Sequence, residues 1–245
     1  MTYKQTLSQM AELKWHGAVG AYKDQQTNIA LHGLGFDERL AILTEAEIHD
    51  RSQRRQQRLL KQAKLKSSNA CIEDIDYSTT RSLDRQLVST LASCNWINNC
   101  QPLVITGPTG VGKTWLACAF AQQAIRKGKP VLYKRLTRFF EEAKIAHADG
   151  TLPKFRIGLA KPSVLILDDW ALFPMKARAR QDLLELVDER SGSGSLIITS
   201  QLPVDQWHNY IDEPTMADAI LDRILHRAHF IEIQGESMRR KPKAE

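Results

Sequence analysis

No stretch of this 245-residue chain approaches 18 uninterrupted apolar residues, so the sequence offers no membrane-spanning helix. Nor does it open on a continuous apolar core. Lys4, Glu12, Lys14 and His16 interrupt Met1 to Tyr22, which argues against a secretory signal. Cysteine is scarce: Cys71, Cys94, Cys100 and Cys118 form no C-x-x-C pair and no zinc spacing. Reduced thiols in a cytoplasmic protein are therefore expected. Internal repeats and long low-complexity runs are missing too. What remains is ordinary globular composition, 42% hydrophobic and 25% charged, enough for one α/β domain and a smaller extension without a disulfide or metal staple.

Acidic residues are absent from one segment in particular. Arg51, Arg54, Arg55, Arg58, Lys61, Lys64 and Lys66 follow one another with no Asp or Glu between them. The whole chain carries a formal charge of +6, so without these seven cations it stands at −1. A basic block beside a near-neutral domain points to a polyanionic partner rather than to general solubility.

Residues 1–66 have helical character. Phe36, Leu40, Leu43 and Ile48 follow helical spacing, and Asp37 and Glu38 suit the positive end of the helix dipole. The basic block continues that helix, gathering Arg51, Arg54, Arg55, Arg58 and Lys61 on one side. A break is expected at Lys66-Ser67-Ser68-Asn69 and a polar linker at Ser78–Ser82, so a helical N-terminal domain over 1–66 precedes a second domain over 67–245.

From Pro102 onward strand and helix alternate. Strands are expected at Leu103–Thr106, Val131–Tyr133, Val164–Leu167, Leu196–Thr199 and Phe230–Ile233. Helices are expected near Gly112–Lys127, Leu136–His147, Lys176–Arg190, Val204–Tyr210 and Pro214–His226. Short strands apolar on both faces and separated by helices imply an α/β fold with a parallel sheet covered on both sides.

Glycine is spread thinly, yet three of the 13 fall in Gly107-Pro108-Thr109-Gly110-Val111-Gly112-Lys113-Thr114. Backbone amides can wrap a phosphate only where no Cβ obstructs the turn, and Gly107, Gly110 and Gly112 supply that freedom after an apolar strand. Lys113 suits the β- and γ-phosphates of a nucleotide, and Thr114 suits Mg2+. The helix that follows, beginning with Trp115 in its first turn, aims its positive end at the anion. A second strand, Val164–Leu167, delivers Asp168 to its carboxyl end as a metal-binding carboxylate and Asp169 as a group to orient or polarise water. Leu196-Ile197-Ile198 ends in Thr199-Ser200-Gln201, where Gln201 is the first candidate to sense the γ-phosphate, with Ser200 and Thr199 beside it. The five tryptophans, Trp15, Trp96, Trp115, Trp170 and Trp207, read as core or interface residues rather than base-stacking platforms.

With these elements in order, the chain resembles an AAA+ ATPase and, more narrowly, the IstB-like transposition helpers, relatives of the DnaC-type helicase loaders. The residues that carry the resemblance are Ala70–Tyr77, Asn95-Trp96-Ile97, Thr106–Thr114, Leu167-Asp168-Asp169, Ile198–Pro203 and Gly235–Arg239, with Phe36–Leu40 further upstream. The resemblance implies ATP and Mg2+ as cofactors and ATP hydrolysis as the activity. It implies that Arg223, in Asp222-Arg223-Ile224, is an arginine finger serving the neighbouring subunit, and that Arg239 is a second phosphate sensor within its own subunit. A rigid, permanently charged guanidinium suits that task, although pairing of Arg223 and Arg227 with Asp218 and Asp222 on a solvated helix is the alternative. Many AAA+ proteins have Asp-Glu where this chain has Asp168-Asp169, and the shorter acid implies slow, switch-like turnover. Only six residues follow Arg239, so no C-terminal lid domain is expected.

The implied function is an ATP-dependent helper that self-associates on duplex DNA, deforms it and recruits or activates a transposase, with hydrolysis driving disassembly. A helicase loader binding single-stranded DNA and a nucleotide-gated protein adaptor are the rivals. The candidate DNA surfaces are the Arg51–Lys66 helix and a group comprising Lys134, Arg135, Arg138, Lys144, Lys154, Arg156 and Lys161.

Overall fold

The computed structural model describes residues 2–77 and 82–238. The expected linker residues 78–81 and Arg239 lie outside the described residues. Two compact units emerge, Met1–Arg58 and Leu59–Glu245, against an expected division at 66/67.

The first unit is helical: α1 (Tyr3–Glu12), α2 (His16–Thr27) and the long α3 (Phe36–Ala63), whose range crosses the division. The start of α2 is held by α3. The Glu47 carboxylate accepts the Gly17 and Ala18 amides at 3.0 and 3.3 Å, satisfying donors that a helix N-terminus leaves without partners. Gly17 is needed there because a Cβ would collide with the Ala46 carbonyl of α3. A second clasp joins the same helices, with Gln25 Nε2 donating to Arg39 O at 2.7 Å. After α3, Lys64 takes a left-handed conformation (φ 53°) that stops the helix.

The second unit follows with α4 (Arg85–Ala92), α5 (Asn95–Asn98), β1 (Leu103–Thr106), α6 (Lys113–Arg126), β2 (Val131–Arg135) and α7 (Leu136–Ala148). Then come α8 (Leu152–Ala160), β3 (Val164–Trp170), α9 (Ala177–Arg190), β4 (Ser195–Ser200), α10 (Trp207–Ile211), α11 (Pro214–Leu225) and β5 (His229–Glu232). All five strands pair in parallel, in the order β2-β3-β4-β1-β5.

Strand periodicity explains how one sheet organises two cores. Leu103, Ile105, Val164, Ile166 and Ile197 face a cluster built with Leu116, Phe120 and Ala124 of α6. The alternate residues Val104, Leu165, Leu167, Leu196 and Ile198 face a second cluster with Leu183 and Val187 of α9 and Ile220 and Ile224 of α11. Both faces are thus dry, as parallel sheets require. Arg190, 1% exposed, ties the amino-terminal edge together by donating to the carbonyls of Leu159 and Ser195, each at 2.8 Å.

Among the described residues no helix is long and apolar enough to cross a membrane. The four cysteines are free. Trp96, Trp170 and Trp207 are buried, whereas Trp15 is 42% exposed.

Candidate functional site

The loop between β1 and α6 turns at the carboxyl end of the sheet. Gly107 has φ 145°, and a Cβ there would meet the Ile233 carbonyl beyond β5. At Gly110, with φ 86°, a Cβ would meet the Ser237 hydroxyl. Glycine is required twice over, by backbone conformation and by close approach. The Met238 amide also donates to Gly110 O at 3.1 Å, so the chain after β5 lies against the loop. Val111 is buried in the core and anchors the loop from within. Lys113 Nζ donates to the carbonyls of Gly107 and Pro108, both at 2.7 Å, which holds the ammonium at the mouth of the loop. Because α6 begins at Lys113, directly after the loop, the positive end of its dipole lies where the loop would hold an anion.

The two acids of β3 sit at an irregularity. The β3–β4 register shifts between Leu167 and Trp170, and Asp169 takes φ 63°. A bulge of this kind re-aims side chains that regular pleating would send to alternate faces. Asp168 is fully buried, and its Oδ1 accepts hydroxyls from Thr114 at 2.7 Å and Thr199 at 2.6 Å. Its Oδ2 accepts the Tyr133 hydroxyl at 2.6 Å, with Lys66 Nζ 3.9 Å away. Burial, and then the hydrogen bond to Asp168, push the Tyr133 phenol well above its usual range, so it stays protonated as a donor. Asp169 is partly exposed; its amide donates to Thr199 Oγ1 at 3.2 Å and Arg135 Nε lies 3.7 Å from its carboxylate.

The loop and Asp169 open onto one cavity of about 380 Å³, with Asp168 buried behind Thr114. Lys113, Thr114, Trp115, Asp169 and Gln201 line it, together with Lys66, Asp74, Asp76 and Met238. Gln201 accepts the Thr109 hydroxyl at 2.5 Å, whereas Thr199 touches both acids. Lys66, read from sequence as the end of a DNA-facing run, is a cavity residue; Tyr133 carried no signal in the sequence at all. The donor set suits Mg2+, a hard cation that keeps waters and uses one or two carboxylates with substrate phosphates. Thr114 and Asp168 would hold it. No cluster of three or more His, Cys, Asp or Glu residues suited to a metal occurs among the described residues.

Arg223 is elsewhere. Its Nε donates to Asp188 of α9 at 2.7 Å and its Nη1 to Ala219 O at 2.9 Å, rather than pairing with Asp218 or Asp222. With Arg227 it lines a separate cavity of about 280 Å³ beside Pro102 and Gly194, at the amino-terminal edge of the strands. The four-residue β1 alone separates the two edges by about 13 Å, at roughly 3.3 Å per residue.

The basic groups also separate. In the first unit Lys14 joins Arg51, Arg54, Arg55 and Arg58 along a groove, with Arg51 paired to Glu47 and Arg54 to Asp50. In the second group Lys134 pairs with Glu142, Arg138 with Glu141 and Glu142, and Arg156 with Glu185. With Arg135 directed at Asp169, that group is more neutral than its sequence implies.

A parallel sheet with this strand order, a glycine loop feeding α6 and two acids closing β3 define a P-loop ATP-binding protein of the AAA+ fold. The fold recurs in a DnaC helicase loader, at TM-score 0.55 and 18% identity over 68% of this chain and 97% of that one. It recurs in the replication initiator DnaA bound to AMPPCP and single-stranded DNA, at TM-score 0.56 and 18% identity over 69% and 51% of the two chains. The model of the IstB-like ATP-binding proteins matches residues 8–245, and the chain belongs to that family. It is 50% identical to an ATP-binding protein of insertion sequence IS1162 from Pseudomonas fluorescens, over 83% of this chain and 88% of that protein.

Proposed function

We propose that the protein is a cytoplasmic, Mg2+-dependent ATPase that assembles on duplex DNA and serves a transposase encoded by the same mobile element. The observation that carries the assembly step is the separation of Arg223 from the phosphate loop of its own subunit. A guanidinium at the far edge of the sheet can meet a γ-phosphate only if a second subunit presents one. ATP then acts as an adhesive between copies, and its hydrolysis releases them. Kinship with insertion-sequence proteins supports the transposition setting.

Within one subunit the chemistry divides among named groups. Backbone amides of the loop and Lys113 bind the phosphates, while Thr114 and Asp168 would hold the metal, which would supply charge neutralisation to the phosphates. Asp169 orients the attacking water and takes up its proton. Thr199 fixes both acids, and Gln201, hydrogen-bonded to Thr109, faces the place where the γ-phosphate would lie. The groove of Lys14, Arg51, Arg54, Arg55 and Arg58 is the DNA-facing surface of the first unit; its contacts are to phosphates and carry no sequence readout.

Equilibrium binding to duplex and single-stranded DNA, with and without ATP over a salt series, tests this reading. Duplex preference, ATP dependence and a log–log salt slope of about −0.9 per phosphate contacted are expected. Preference for single strands would instead support a helicase loader, a reading favoured by the fold shared with the DnaC loader. Loss of all ATP-dependent DNA binding would leave the protein adaptor.

A further inference from the structure

The carboxylate of Asp168 is completely buried, and its two oxygens are served from different parts of the fold. Oδ1 accepts from Thr114, in the first turn of α6, and from Thr199, at the end of β4. Oδ2 accepts from Tyr133, on the edge strand β2. Tyr133 pairs in register with Ile166, two residues before Asp168, so its side chain reaches along the sheet toward the carboxyl edge. No motif in the sequence assigns this tyrosine a role.

A carboxylate turns about a terminal torsion with broad, two-fold preferences, so its plane is set by whatever hydrogen-bonds to it. Two donors on one oxygen fix that oxygen and leave the other to find a partner. A donor on the second oxygen, fixed to a neighbouring strand, defines the plane. We infer that Tyr133 is a positioning residue: its hydroxyl holds Oδ2 of Asp168 so that Oδ1 remains turned toward Thr114, where the family chemistry places Mg2+. This rests on the reading of the cavity as an Mg·ATP site. The phenyl ring of Tyr133 has separate work, since it packs against the core clusters that include Ala117, Cys118 and Ala119 of α6. Phenylalanine would serve that packing equally well. The hydroxyl is what the carboxylate uses.

Tyr133→Phe isolates the hydroxyl. With ATP saturating, the Mg2+ concentration giving half-maximal hydrolysis is expected to rise about tenfold, the scale of one lost hydrogen bond to a buried charged group. A second readout avoids turnover. In thermal unfolding with a non-hydrolysable ATP analogue, the extra stabilisation on adding Mg2+ shrinks in the variant, while stabilisation by the analogue in EDTA matches the wild type. In an Asp168→Asn background, Tyr133→Phe is expected to add nothing further, because the group it positions has already been changed.

Wild-type Mg2+ dependence in Tyr133→Phe would overturn the inference. So would an equal loss of analogue binding in EDTA, or an additive effect on top of Asp168→Asn, since each would assign the tyrosine to nucleotide contact or general stability. If the wild type itself gained no stability from Mg2+ with the analogue, the Mg·ATP reading would fall first, and this inference with it.

Discussion

Thr199 is the residue on which the two acids of β3 depend. Its hydroxyl donates to the Asp168 carboxylate and accepts the backbone amide of Asp169, so one small side chain holds one acid by its carboxylate and the other by its backbone. Thr199→Val keeps the shape and removes both bonds. The change takes one of two hydroxyl donors from Asp168 Oδ1, leaving Thr114, and takes the acceptor from the Asp169 amide, at a cost of about 1–3 kcal/mol in all. Hydrolysis by Thr199→Val is therefore expected to fall by more than tenfold, measured by phosphate release, whereas Gln201→Ala, which loses an exposed contact to Thr109, falls less. Asp169→Asn is expected to bind ATP normally but to lower kcat by roughly 10²–10⁴, the contribution typical of a positioned general base; loss of nucleotide binding would instead make Asp169 a binding residue. Lys113, Thr114 and Asp168 were legible in the sequence because a phosphate loop and an acid-tipped strand are local patterns. Tyr133 and Lys66 were not. They reach Asp168 across separations of 35 and 102 residues, and no short-range spacing encodes such a meeting.

At the scale of elements, the strands could be read closely because a buried parallel strand is an apolar run with abrupt ends. β2 runs two residues past its expected end, to Arg135, and β3 departs furthest, running on to Trp170 through both acids rather than stopping at Leu167. The apolar pattern ends where the bulge begins, although hydrogen bonding does not. Helix α8 went unread: Leu152–Ala160 holds Pro153 and Gly158, and only the tertiary fold buries Leu159. The helical first unit shows the same dependence, for α2 takes its N-terminal acceptor from Glu47, 30 residues away. Burial works against the Glu47 carboxylate, but hydrogen bonds from Arg51, Ala18 and Gly17 outweigh it and hold its pKa below the usual value. A depressed folded pKa stabilises at pH above the unfolded value, about 4.3, and the benefit disappears as pH falls through the folded value. Glu47→Ala is expected to cost about 1–2 kcal/mol at neutral pH, with faster hydrogen exchange at Gly17 and Ala18. The difference from wild type should shrink at pH below about 4; a constant difference would mean that charge is not involved.

For the whole molecule, the informative prediction is complementation. Arg223→Ala alone and Lys113→Ala alone are both expected to be inactive, the first for want of a finger and the second for want of bound ATP. Mixed, a Lys113→Ala subunit can offer Arg223 to an Arg223→Ala subunit that still holds ATP, and hydrolysis should partly return. No recovery across a range of mixing ratios would mean that Arg223 does not act on its neighbour. The pair with Asp188 is exposed, and such pairs contribute little, about 0–1 kcal/mol, so it presents a small barrier to redirecting the arginine.

The sequence by itself determined the α/β class, the phosphate loop, the two acids and the basic character of the long helix, because each is written in short-range spacing and composition. Only the tertiary structure decided which polar groups share Asp168, that Lys66 belongs to the cavity rather than to the basic groove, and that Arg223 sits at the edge opposite the loop. Those facts depend on strand order and on a bulge, which bring together residues far apart in the chain. Local chemistry could name the parts; where the chain folds decided which of them meet.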